Sequence, residues 1–156
     1  MKKTITLLAL AFCLTANAQT DSIHKTYYKS GKLKMETPYT NDKENGVEKG
    51  YYESGKLFSE APYTDDKING VSKTYYESGK LQSETPYTYN KENGARKEYY
   101  ESGILKRETP YADGEKNGVQ KEYYKSGKLQ RECTFTKGKA NGAEKKYDEN
   151  GKPTNN

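Results

Sequence analysis

Apolar positions along this chain are sparse, and they return on a fixed step of 24 residues. The segment YYKSGKL at 27–33 recurs as YYESGKL at 51–57 and 75–81, as YYESGIL at 99–105 and as YYKSGKL at 123–129. A degenerate copy, YDENGKP, occupies 147–153. A second element keeps the same step: ETPY at 36–39, EAPY at 60–63, ETPY at 84–87 and 108–111, then ECTF at 132–135. A third is the Asn-Gly pair that starts at Asn45, Asn69, Asn93, Asn117 and Asn141. A period of this length marks an array of like supersecondary units. Each unit contacts its neighbours only, so the product is an extended surface rather than a pocket.

Residues 46–69 serve as the unit. Residues 47–52 are short and end in two tyrosines, a composition that favours a strand. Glu53-Ser54-Gly55 then predicts a three-residue hairpin loop, a type I turn followed by glycine in the left-handed region. Residues 56–63 form the returning strand, with Pro62 near its end, where a missing N–H does little harm. Residues 64–70, rich in Asp, Lys and Asn-Gly, read as the loop into the next unit. Helices are excluded: the unit carries two glycine turns and a proline, and leaves no run long enough for three helical turns. The fold expected is all-β, a single-layer antiparallel meander of about five to six 24-residue β-hairpins.

Alternation assigns faces. With Tyr51 opposite Leu57, strict alternation puts Val47, Lys49, Tyr51, Leu57, Ser59 and Tyr63 on one face. Its apolar members persist from copy to copy and predict a structural stripe of Tyr51, Leu57, Tyr63, Tyr75, Leu81, Tyr87, Tyr99, Leu105, Tyr111, Tyr123 and Leu129. Glu48, Gly50, Tyr52, Lys56, Phe58 and Glu60 share the other face, which varies more between copies. Gly50 becomes Thr74, Glu98, Glu122 and Lys146; Phe58 becomes Gln82, Lys106 and Gln130. Fixed residues on that varying face, Tyr52, Tyr76, Tyr100, Tyr124, Glu60, Glu84 and Glu108, are the candidate partner-binding positions.

The first eighteen residues read differently. Lys2 and Lys3, an apolar run over 5–14 and Ala16-Asn17-Ala18 make a cleaved secretory signal peptide, with the repeat array over 19–156 and its last copy degenerate. Phe12 and Leu14 keep Cys13 inside the apolar run and argue against a lipidated cysteine. The expected location is therefore outside the cytoplasm, after cleavage near Ala18. The mature chain keeps one cysteine, Cys133, so it forms no internal disulfide. Cys133 stands where other copies carry Thr or Ala, as a small residue in a strand.

Composition changes the picture at one point. Beyond the leader, Leu, Ile, Val and Phe together make up about a tenth of residues, below the roughly 20% that separates folded from disordered chains. Sixteen tyrosines fill the deficit, each with a ring to bury and a hydroxyl that stays wet. The net charge of +5 falls to +3 once Lys2 and Lys3 leave, and Glu is interspersed with Lys nearly one for one. That cancels the electrostatic footprint of a nucleic-acid binder.

No catalytic constellation or cofactor site is legible. One histidine, His24, and one mature cysteine cannot make a triad, a Cys-His pair or a metal cluster. The acidic loops lack the spacing of a twelve-residue calcium loop, and turn propensity accounts for their Asn, Asp and Gly. The chain reads as a non-enzyme without cofactor or metal.

Asn45-Gly46, Tyr51-Tyr52, Gly55-Lys56-Leu57 and their copies resemble the MORN-repeat variant family across nearly the whole chain after the leader. The resemblance implies a single layer of β-hairpins used to bind proteins or membrane surfaces. Many bacterial members look like YwqK-type antitoxin proteins. An export signal sets this chain apart from an antitoxin acting in the cytoplasm and points to an immunity-like role outside it. The expected partner is a protein, with a membrane surface or an envelope glycan as the alternative.

Overall fold

The computed structural model describes residues 19–154. The leader predicted over residues 1–18 lies outside the described residues. Among the described residues every element is a strand. In chain order these are β1 (Asp21–Tyr27), β2 (Leu33–Thr40), β3 (Lys43–Glu44), β4 (Gly46–Tyr51), β5 (Leu57–Thr64), β6 (Lys67–Ile68), β7 (Gly70–Tyr75), β8 (Leu81–Thr88) and β9 (Lys91–Glu92). They continue as β10 (Gly94–Tyr99), β11 (Leu105–Ala112), β12 (Glu115–Lys116), β13 (Gly118–Tyr123), β14 (Leu129–Thr136), β15 (Lys139–Ala140), β16 (Lys145–Tyr147) and β17 (Pro153–Thr154). All pairings are antiparallel, each long strand with the next, so six repeats make one open meander.

The hairpin loop forms as the sequence dictates. Gly55 N–H donates to the Tyr52 carbonyl, Tyr52 N–H donates to that of Lys56, and Gly55 takes φ +87°, where an L side chain is disfavoured. The connection between repeats differs from the expected loop. Asp65 and Asp66 both have positive φ, 49° and 64°, which closes a two-residue type I′ hairpin between Thr64 and Lys67. The short strands β3, β6, β9, β12 and β15 exist because these turns fold back on the ends of the preceding long strands. Asn and Asp tolerate this conformation by bonding nearby backbone. Asp66 N–H donates to the Glu44 carbonyl while its carboxylate accepts from Glu44 N–H at 2.7 Å, and Asn90 makes the same exchange with Ile68. The turn thus ties each repeat to the one before.

The Asn-Gly pair is not the turn. Asn69 N–H donates to the Pro62 carbonyl, and Gly70, at φ +125°, lies so close to Pro62 that a Cβ would sit 2.8 Å from the ring Cγ. Gly46, Gly94 and Gly118 meet Pro38, Pro86 and Pro110 in the same way. Two motifs that the sequence presents separately are one packing unit.

A bulge then resets the faces. Tyr51 lies opposite Leu57 as expected, but Gly50 lies opposite Ser59, with Phe58 as the extra residue. Phe58 and Ser59 both point to the side of Gly50, where a Cβ on that glycine would lie 3.7 Å and 2.5 Å from them. The same shift recurs at Thr26/Tyr27, Thr74/Tyr75, Glu98/Tyr99 and Glu122/Tyr123. An extra residue re-aims all that follow it. Beyond Leu57, the returning strand therefore shows the reverse of strict alternation. Ser59 and Tyr63 leave the face of Tyr51, and Glu60 joins it. The stripe keeps its Tyr51–Leu57, Tyr75–Leu81, Tyr99–Leu105 and Tyr123–Leu129 pairs, but Tyr63, Tyr87 and Tyr111 belong to the opposite face.

A single layer has no interior. No apolar side chain is fully buried among the described residues; the most enclosed are Thr37, Thr85, Thr109 and Gln120. Backbone ladders and side-chain ladders between strands hold the array instead.

Candidate binding faces

One face repeats itself. Its central row runs Lys25, Glu36, Lys49, Glu60, Lys73, Glu84, Lys97, Glu108, Lys121, Glu132, Lys145, each residue directly opposite the next across every strand pair. Lys97 Nζ lies 3.5 Å from Glu84 and Lys145 Nζ 2.9 Å from Glu132. The first tyrosine of the pair completes the row. Tyr51 donates to Glu36 at 2.6 Å, Tyr75 to Glu60 at 2.7 Å, Tyr99 to Glu84 at 2.8 Å and Tyr147 to Glu132 at 3.3 Å. Burial, then the hydrogen bond to carboxylate and its negative charge, push the Tyr51, Tyr75 and Tyr99 phenols up to about 12. Beside this row, Val47, Val71 and Val119 stay exposed, paired with Pro62, Pro86 and Thr134.

The sequence placed Glu60, Glu84 and Glu108 beside Tyr52, Tyr76, Tyr100 and Tyr124. The bulge separates the two sets: the glutamates lie on the ladder face and the second tyrosines on the other. Those tyrosines also have a structural role. Tyr52 donates to the carbonyl of Tyr75 at 2.7 Å, Tyr76 to Tyr99 at 2.6 Å, Tyr100 to Tyr123 and Tyr124 to Tyr147 at 2.8 Å. Tyr28 does the same to Tyr51 at 2.6 Å. Each hydroxyl staples its repeat to the next.

The second face changes along its length. Opposite one another run Met35, Gly50, Ser59, Thr74 and Ser83, all neutral, and then Glu98, Arg107, Glu122, Arg131 and Lys146. In the neutral half Thr74 and Ser83 share a hydrogen bond of 2.7 Å, and the Phe58 ring meets Tyr52 edge-on at 5.1 Å. The charged half is a connected network. Arg107 bridges Glu98 at 3.3 Å and Glu122 at 2.9 Å, and Arg131 bridges Glu122 and Glu144, both at 2.6 Å. Arg96 joins at Glu92 and Glu98. Burial raises the Glu122 carboxyl, but Arg131 and Arg107 outweigh it and leave it below its ordinary range. Cys133 sits half-buried near this network, in a small cleft with Gln120, Glu122, Arg131, Phe135 and Glu144. An open cleft of about 510 Å³ lies where the halves meet, bordered by Thr74, Tyr76, Ser83, Arg96, Glu98, Lys106 and Arg107.

These arginines were not among the sequence candidates. The signal was present: Ser59 becomes Ser83, Arg107 and Arg131 in step with Gly50 becoming Thr74, Glu98 and Glu122. Strict alternation put those columns on opposite faces, so their joint change was not legible. Among the described residues no group of three His, Cys, Asp or Glu side chains comes together to hold a metal ion, and no helix is long and apolar enough to cross a membrane.

A model of the MORN repeat variant matches residues 21–41, 44–65, 68–89, 92–113, 116–137 and 140–155. The chain belongs to the MORN repeat variant family. Six matches in register with the six hairpins tie the family to the repeat seen in the fold. MORN repeats are non-enzymatic modules commonly used for contact with proteins and membranes. No curated protein matches the chain.

Proposed function

We propose that this MORN protein is a non-catalytic, exported scaffold that holds a protein partner on its varying face. The carrying observation is the contrast between faces. One repeats a Lys/Glu/Tyr ladder that the array needs for its own cohesion; the other passes from a neutral half to an arginine–glutamate network. A face that only had to be solvated has no need of such a graded pattern, whereas a partner read along several repeats does. Export rests on the leader over residues 1–18. Together these suit an immunity-like role outside the cytoplasm, in which the array caps a harmful protein.

The stapling tyrosines are poor probes because their loss weakens the array. Phe58 and Lys106 are exposed on the varying face and lie outside the ion-pair network. Crosslinking in the cell envelope should capture a protein with the wild type and at least tenfold less with a Phe58→Ser/Lys106→Glu variant of unchanged melting temperature. Equal capture by both would refute the assignment of the face.

A second reading has its own observation: exposed valines beside the alternating Lys/Glu row on the ladder face, an apolar row with a polar border suited to a lipid headgroup surface or an envelope glycan. Vesicle and glycan binding lost in a Val47→Ser/Val71→Ser/Val119→Ser variant would favour it.

A further inference from the structure

The array has two unlike ends. At one, all seven residues of β1 are exposed, and among the described residues β1 pairs with β2 alone. Thr20 turns both its N–H and its carbonyl toward Asn41, so by strand alternation Asp21, Ile23 and Lys25 direct theirs outward, unpaired. This edge has no proline, and its bulge comes only at Thr26/Tyr27. Such an edge is a template for another strand. At the other end, among the described residues, β17 offers two residues, one of them Pro153, which lacks an N–H. Asp148 there replaces the stapling tyrosine and accepts from Asn150 and Lys152 N–H of its own turn. Head-to-tail growth would meet a poor edge with no staple.

We propose that β1 pairs with β1 of a second copy in an antiparallel, twofold dimer centred on Ile23. The outward groups of residues 21, 23 and 25 permit that register. It sets Ile23 against Ile23 and Asp21 against Lys25 twice. All three side chains lie on the ladder face, so Lys25 would have Glu36 on one side and Asp21 of the second copy on the other. Ile23, 61% exposed in the single chain, would be covered by its own counterpart. The contact is isologous and closes on itself, so it does not propagate into fibres.

Cysteine crosslinking in a Cys13→Ser/Cys133→Ser background reads the register directly. Directly opposed residues in a hydrogen-bonded pair lie about 5.5 Å apart at Cα, within the span of a disulfide. Ile23→Cys should form a disulfide dimer under mild oxidation, whereas Ser22→Cys and His24→Cys, each opposite the other position, should not. In sedimentation, Lys25→Asp should weaken association at least tenfold, and Asp21→Lys/Lys25→Asp should restore it. A chain that stays monomeric at high concentration, or a dimer that crosslinks equally at all three positions, overturns the proposal. Monomers that pair β1 with a strand of another protein overturn it too.

Discussion

At Gly70 the backbone sits at φ +125°, and the space a methyl would need is taken by the Pro62 ring. Gly70→Ala therefore meets conformational strain and a clash together, and should cost about 1–3 kcal/mol. Gly55→Ala, also at positive φ but facing open space, should cost less; thermal melts of the two variants make the comparison. The tyrosines divide by position. Tyr76→Phe removes a staple whose acceptor is a backbone carbonyl and should lose about 1 kcal/mol, read in urea melts. Tyr75 is tied instead to Glu60, and its phenol is raised to about 12. A raised folded-state value means that the stabilisation is complete below the unfolded value of 10.0 and is lost as pH climbs from there toward about 12. The melting temperature should fall across that window, and Tyr51→Phe/Tyr75→Phe/Tyr99→Phe should flatten the fall.

Each returning strand takes its facing from its bulge. Deleting Phe58 would remove the extra residue and restore strict alternation in β5, turning Glu60 away from Tyr75 and Ser59 away from Gly50. The deletion should destabilise the array clearly more than Phe58→Ala, whose side chain is exposed. Circular dichroism melts compare the two. The hairpin loop at residues 52–56 was legible because Gly at a fixed place after a tyrosine pair leaves few turn geometries open. The bulge was not. Its extra residue is Phe58 in one repeat and Gln82, Lys106 or Gln130 in others, so no residue type marks it. Glu60 drew notice for its constancy, yet the reason for that constancy, a lysine on both flanks and a tyrosine below, appears only once the register is known.

Across the molecule, cohesion passes only between neighbours. Excising residues 70–93 would join Asn69 to Gly94, preserve the Asn-Gly junction and leave every remaining repeat whole. That shortened chain should fold with a lower melting temperature, because a repeat array loses roughly one unit and one interface. Excising half as many residues would set a long strand against the wrong partner and should abolish the cooperative melt.

The 24-residue step, the all-β class and the hairpin loops follow from the sequence by itself, since spacing, turn residues and the scarcity of apolar side chains are local properties. Which residues share a face was decided only by the tertiary structure. A period-2 element inverts with a single inserted residue, and whether one is inserted depends on how the neighbouring strands close their hydrogen bonds. The separation of Tyr52 from Glu60, the eleven-residue Lys/Glu row and the gathering of Arg107, Glu122 and Arg131 all arise at that level.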